Sequence, residues 1–161
     1  MSAGKIITAE ELACVRNTLA AEGKKLVFTN GCFDLLHVGH VRYLQAARAL
    51  GDAMVVAVNG DDSVRALKGP TRPINSEADR AEVLASLECV DYVVIFPGMR
   101  MTPLYIAVRP QIYVKGGDYT TDTLDKEERV AIDAVGSEIH IIPLVPGRST
   151  TNILAAAACK A

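Results

Sequence analysis

The sequence predicts an α/β domain built on a doubly wound, parallel, five-stranded sheet, and three observations predict it. Short β-branched runs alternate five times with stretches of helical periodicity. The runs are apolar at successive positions, as strands are when helices cover both faces of a parallel sheet. The residues after the runs are glycines, hydroxyls, imidazoles and cations, the composition of a ligand edge.

The elements follow in order. Residues 1–23 hold a leading helix, about 8–22, expected to pack outside the core formed by residues 24–154. Strands are expected at 26–29, 54–59, 92–96, 112–115 and 139–144. Between the first two, Val41, Leu44, Ala47 and Leu50 recur at helical spacing, and Gly51 stands where a helix C-terminus needs a glycine. Asp61 and Asp62 read as a helix N-terminus rather than a metal pair. Ser76 can cap a helix whose apolar face is Val83, Leu84, Leu87 and Val90. Thr102 and Pro103 read as the N-cap and first residue of another. Residues 125–135 form a charged helix ending at Gly136, and 151–159 an Ala-rich one.

Composition bounds the class. The chain of 161 residues is 50% hydrophobic and 22% charged, enough for one core, so a single domain over 1–161 is expected. With no Trp, five Tyr and three Phe, that core must be aliphatic. Seventeen basic against nineteen acidic residues give a net charge of -2, which argues against a nucleic-acid partner. The four cysteines, 14, 32, 89 and 159, show no CxxC spacing and read as reduced thiols. Met1 to Glu11 lacks a signal-peptide pattern, and no apolar run approaches the roughly 20 residues that span a bilayer. A soluble cytoplasmic protein without a membrane partner is the expectation.

In such a sheet the ligand sits beyond the carboxyl ends of the strands. Asn30 to His40, Asn59 to Asp62, Lys115 to Asp118 and Gly147 to Asn152 all follow strands. Glycines admit close backbone approach, helix N-termini aim N–H groups at anions, and Lys or Arg neutralises charge, so the edge suits a polyphosphate. There is no GxxxxGK[ST], no GxGxxG after the first strand, no HExxH and no GxSxG. The focal signal is His37-x-Gly39-His40, which sets two rings on one side of a helix entrance, with Gly39 leaving room between them. Two donors there could stabilise charge developing on a phosphate oxygen. A zinc pair would need a third ligand, with only Cys32 and Asp34 near in sequence, and a purely structural pair has little packing value.

The stretch from Gly31 to His40 resembles the signature of the cytidylyltransferase-like nucleotidylyltransferases, a Rossmann-like fold of HxGH type. More narrowly, the chain resembles the adenylyltransferase domains of bifunctional heptose kinase/adenylyltransferases. That match rests on Thr29 to Asp34, Leu67-Lys68-Gly69-Pro70, Arg72-Pro73, Val114 to Tyr119 and Ser149 to Ile153, and runs from about Lys24 to Leu154. The resemblance implies AMP transfer from ATP, the co-substrate, to a heptose 1-phosphate, giving ADP-heptose and pyrophosphate. Mg2+ would ride on the phosphates, and the product would feed lipopolysaccharide or another surface glycan.

Site residues follow from the resemblance. His37, His40, Lys68 and Arg80 would act on the phosphates of nucleotide or acceptor. Gly31, Cys32, Phe33, Asp34 and Gly39 would present the loop to the nucleotide, Asp34 orienting it or approaching the metal. Lys115, Gly116, Asp118 and Arg148 would bind the nucleotide, and Ser149, Thr150 and Thr151 would cap the last helix and bind the β- and γ-phosphates or the departing pyrophosphate. By residue type alone, Arg80 and Lys115 could be solvated charges, the Ser-Thr run a helix cap, and His140 a structural strand residue. Glycerol 3-phosphate cytidylyltransferases carry an arginine a few residues before that run, near Leu144 here, and a second lysine at the position of Pro70. Both departures weaken a CTP reading. An FAD synthetase-like adenylyltransferase, or a non-catalytic nucleotide-binding module on the same fold, would share the superfamily's pattern. A separate kinase is expected to supply the sugar phosphate, and a homodimer is the expected assembly.

Overall fold

Alternation of strand and helix is realised in full in the computed structural model, which describes residues 4–117, 120, 123–143 and 145–159. The strands are β1 (Leu26–Gly31), β2 (Ala53–Asn59), β3 (Tyr92–Phe96), β4 (Ile112–Gly116) and β5 (Glu138–Ile142). All pairings are parallel, and the spatial order is β3-β2-β1-β4-β5. The chain winds outward from β1 through β2 to β3, then restarts beside β1 with β4. The crevice between β1 and β4 is therefore the topological switch point, where ligands of open α/β sheets bind.

Both faces of the sheet are covered, which is why its strands read as unbroken apolar runs. Phe28, Val55, Ala57, Val94 and Tyr113 point to one face, packing with Leu12, Tyr105 and Ile132. Val27, Met54, Val56, Val58, Val93 and Val114 point to the other, packing with Leu44, Ala47, Ala81 and Leu84. The first face belongs to α1 (Ala9–Ala21), α5 (Thr102–Val108) and α6 (Lys126–Val135). The second belongs to α2 (Val38–Arg48) and α4 (Glu77–Ala85). The few aromatics concentrate on the first face, where Tyr105 meets Phe28 and Tyr113 edge-on at centroid distances of 5.0 and 5.6 Å.

Several boundaries differ from expectation, each for a packing reason. The helix expected outside the core, α1, contributes Leu12, which is fully buried beside Phe28 and Tyr105. The chain before α1 is also anchored: Ile6 bridges to Val93, and Lys5 Nζ donates to the carbonyls of Leu87 and Val90. α5 begins at Thr102, so Met101 rather than Thr102 is the N-cap, and it caps through no side-chain bond. Burial of Met101 in the core sets that start, and Thr102 Oγ1 is left buried without a partner. In α4 the inward face is Arg80, Ala81, Leu84 and Ala85, while Val83 is 51% exposed. Leu87 and Val90 lie beyond its end, though both still join the core. β5 stops at Ile142, two residues short of expectation. The remaining helices are α3 (Asp61–Lys68) and α7 (Thr150–Ala158).

Candidate active site

A cleft of about 700 Å3 opens over the carboxyl ends of β1 and β4, a volume suited to a small ligand. Its geometry begins where β1 ends. Phe33 takes a left-handed conformation, with φ of 46°, which costs a residue with a Cβ roughly 1–3 kcal/mol. The turn drives the Phe33 ring inward, edge-on to His40 at 5.5 Å. A Cβ on Gly31 would come within 3.0 Å of that ring, so only glycine fits there without displacement.

The next residue, Asp34, is buried and accepts from the backbone N–H of Ile74 and Asn75 at 2.8 and 3.0 Å and from Arg72 Nε. Burial pushes its carboxyl up, but the bonds from Asn75, Arg72 and Ile74 together hold it below its ordinary value. Its role here is to fasten the loop after α3 to the exit of β1. Arg80 completes the same fastening from beneath. Its guanidinium is buried and donates to the carbonyls of Asn75 and Cys32, at 3.1 and 2.6 Å, and to Asp61 Oδ1 at 2.8 Å. Arg80 is no solvated charge; it also does not line the cleft, and its donors are spent on the loops that form it. Cys32 lies half-buried, its thiol pushed up by burial, and offers its carbonyl to the structure.

His37 is the N-cap of α2: its Nδ1 accepts from the Gly39 N–H at 3.1 Å. The His37 N–H is directed at His40 Nδ1 at 3.4 Å, so the two residues form a reciprocal capping box made of imidazoles. The rings stack with centroids 3.9 Å apart. Gly39 makes this possible, since a Cβ there would stand 2.9 Å from His37 Nδ1 and Cε1. Burial lowers His40 to about 4, with the adjacent His37 adding to the effect. Burial and the Arg148 charge lower His37. With each Nδ1 accepting, the neutral rings carry their proton on Nε2 as a donor.

The opposite rim comes from the far end of the sequence. Ser149 Oγ accepts from the Asn152 N–H and caps α7, while Thr150 Oγ1 donates to the Leu35 carbonyl at 3.2 Å. Thr150 and Thr151 line the cleft with Lys68, Lys115 and Gly116. A Cβ on Gly116 would lie 2.9 Å from the Tyr43 ring. Arg148, Ser149, His37 and Gly39 are not among the residues that line the cleft. Asp118 lies outside the described residues.

Sequence reasoning missed Arg100, Tyr43 and Glu128, which line the cleft together with Asn30, Asn59 and Arg72. Glu128 had a signal: it shares a helical face with Ala131 and Ile132, both buried, so spacing alone points it inward. Arg100 had none, because its partners Asp125 and Glu127 are brought to it only by the fold. His140, expected to be structural, pairs with Glu138 two residues away on the edge strand. Among the described residues no group of three or more His, Cys, Asp or Glu could hold a metal ion. No helix among them is long and apolar enough to cross a membrane.

A sequence profile described as cytidylyltransferase-like matches residues 28–156. The chain belongs to the cytidylyltransferase-like family. It is thereby a nucleotidyltransferase enzyme. A curated relative, the "Bifunctional protein HldE" of Syntrophotalea carbinolica, is 52% identical over 93% of this chain and 30% of its own length. The chain thus spans about a third of the curated relatives it matches. A crystal structure of the lipopolysaccharide core biosynthesis protein from Thermoplasma volcanium is 31% identical, covering 76% of this chain and 98% of that one, with a TM-score of 0.63. The pantoate-beta-alanine ligase of Francisella tularensis, 16% identical with a TM-score of 0.62 over 95% of this chain and 76% of that one, shares the fold.

Proposed function

We propose that this nucleotidyltransferase moves the AMP moiety of ATP onto a heptose 1-phosphate, giving ADP-heptose and pyrophosphate. An oxygen of the sugar phosphate attacks the α-phosphorus in line; a new P–O bond forms as the bond to the bridging β-oxygen breaks, and pyrophosphate departs. No covalent enzyme intermediate is needed. The observation that supports the chemistry is the stacked pair His37 and His40 at the entrance of α2, neutral rings whose Nδ1 atoms are taken by backbone N–H groups and whose Nε2–H groups are left to donate, with His40 lining the cleft. Donors fixed in place before the reaction stabilise charge as it develops, which is worth more than equal binding of substrate and transition state.

Thr150 and Thr151 at the α7 N-terminus, with Lys68, supply donors and positive charge for the other phosphates. Asp118 and Arg148 are assigned to the nucleotide on the same grounds of resemblance. The carboxylates nearest the loop, Asp34 and Asp61, are engaged by Arg72, Arg80 and backbone N–H groups. A Mg2+ ion therefore fits as a passenger on the triphosphate, which it would neutralise, rather than in a protein cage. Heptose is chosen because the similar curated proteins are named HldE and the 31% identical structure is named for lipopolysaccharide core biosynthesis. The sugar 1-phosphate would come from a sugar kinase activity, and the domain would work as a homodimer.

A pyrophosphate-release assay crossing ATP and CTP with heptose 1-phosphates and glycerol 3-phosphate tests the reading. Turnover should be greatest with ATP and a heptose 1-phosphate. CTP outperforming ATP with every acceptor would overturn it.

A further inference from the structure

The histidines and α2 lie on one face of the sheet, and a second polar group in the cleft lies on the other. Side chains alternate between faces along a strand, so Asn30 on β1 and Tyr113 and Lys115 on β4 share the face covered by α6. There they meet Glu128. Tyr113 Oη donates to Asn30 Oδ1 at 3.1 Å and reaches Glu128 Oε2 at 3.5 Å. Lys115 Nζ donates to the same oxygen at 3.2 Å. Glu128 is only 9% exposed, yet Glu128, Asn30 and Lys115 all line the cleft.

Helix capping does not account for a carboxylate in that place. Asp125 already caps α6, accepting from the N–H groups of Glu127 and Glu128. A buried ion pair is poor support for a fold, because desolvation offsets the attraction. What the cluster does offer is a carboxylate, an amide and an ammonium side by side at the cleft wall. Such a set of acceptors and donors matches adjacent hydroxyl groups on a sugar. Its place across β1 from the phosphate-directed histidines suits a substrate whose phosphate and hydroxyls must be read apart.

We propose that Glu128, held by Lys115 and Tyr113 and assisted by Asn30, is the specificity-determining residue that accepts hydrogen bonds from the hydroxyls of the acceptor sugar. This rests on the reading that the acceptor is a sugar 1-phosphate. Replacing the carboxylate by an amide exchanges charge-assisted bonds for neutral ones and should change binding about tenfold.

The test is Glu128→Gln, with steady-state pyrophosphate release from heptose 1-phosphate and its deoxy analogues, using ATP and 2′-deoxy-ATP. The acceptor KM should rise about tenfold while the ATP KM stays within about twofold, and the preference for the fully hydroxylated acceptor should shrink by the same factor. A rise in ATP KM with lost discrimination against 2′-deoxy-ATP would make this a ribose site and overturn the proposal. Equal loss on every acceptor would show a structural role and overturn it too. Should Glu128→Gln not fold, Asn30→Ser carries the same measurements. Wild-type protein inactive on every heptose 1-phosphate sinks the functional reading and this proposal together; an active wild type with a Glu128→Gln variant that keeps the wild-type acceptor preference sinks this proposal alone.

Discussion

Replacing Gly39 by Ala separates the fold from the chemistry more cleanly than removing either histidine. A Cβ at this position would lie 2.9 Å from His37 Nδ1 and Cε1, where ordinary contact begins near 3.4 Å. The ring must move by about 0.5 Å, and it is pinned between its bond to the Gly39 N–H and its stack on His40. Moving it weakens the cap, at about 1 kcal/mol, while Ala in place of a helical Gly returns about 1 kcal/mol. Stability should therefore change by less than about 1 kcal/mol. Activity should not be spared: misplacement by an ångström can cost about a hundredfold in rate, so half that displacement predicts roughly a tenfold fall in kcat. Thermal melting with pyrophosphate-release kinetics reads both. A variant that melts like the wild type and turns over like it would refute the claim that the spacing of these rings matters.

Three further outcomes are expected. His40→Ala should lower kcat by about a hundredfold or more while changing ATP affinity little, measured by kinetics beside equilibrium binding, because its donor acts on developing charge; equal loss of both would contradict that role. Folding stability should fall as pH drops from about 6.5 towards 4, since unfolded His40 takes up a proton that the folded residue, lowered to about 4, refuses. Discounted for the residue's partial exposure, the loss is roughly 2 kcal/mol in denaturant titrations, and it should shrink in His40→Ala to the part left by His37, which is also lowered. Arg80→Ala should destabilise by about 2–4 kcal/mol, leaving two carbonyls and Asp61 without their donor; a stable variant with only kinetic loss would instead place its charge on a phosphate.

The strands were legible because each is buried on both faces, leaving a continuous β-branched run that few other settings tolerate. Helix starts were less so. Thr102-Pro103 carries every local mark of a cap, but Met101 is buried, and its tertiary packing outweighs the local preference. In the site, His37, Gly39 and His40 were readable because their spacing is itself the geometry of a helix entrance. Arg80 shows the limit. Residue type suggested a solvated charge and the resemblance a hand for phosphate, whereas its burial and three protein acceptors are fixed by residues up to 48 positions away. Lys115 and Glu128, 13 positions apart, meet only because β4 and α6 pack together.

The bond from Thr150 to the Leu35 carbonyl joins groups 115 residues apart. As the chain is synthesised, β1 and the paired histidines precede the hydroxyls of the facing wall, which come after all five strands. β1 also waits for β4 before its second edge is covered. Such distant pairings slow folding, since loop closure must precede the contacts that reward it. The nascent chain therefore holds its two donors for a long interval before it can seat a triphosphate between them. A bound nucleotide would stabilise only the fully assembled form, so ligand supply would act on the yield of finished protein as well as on its turnover.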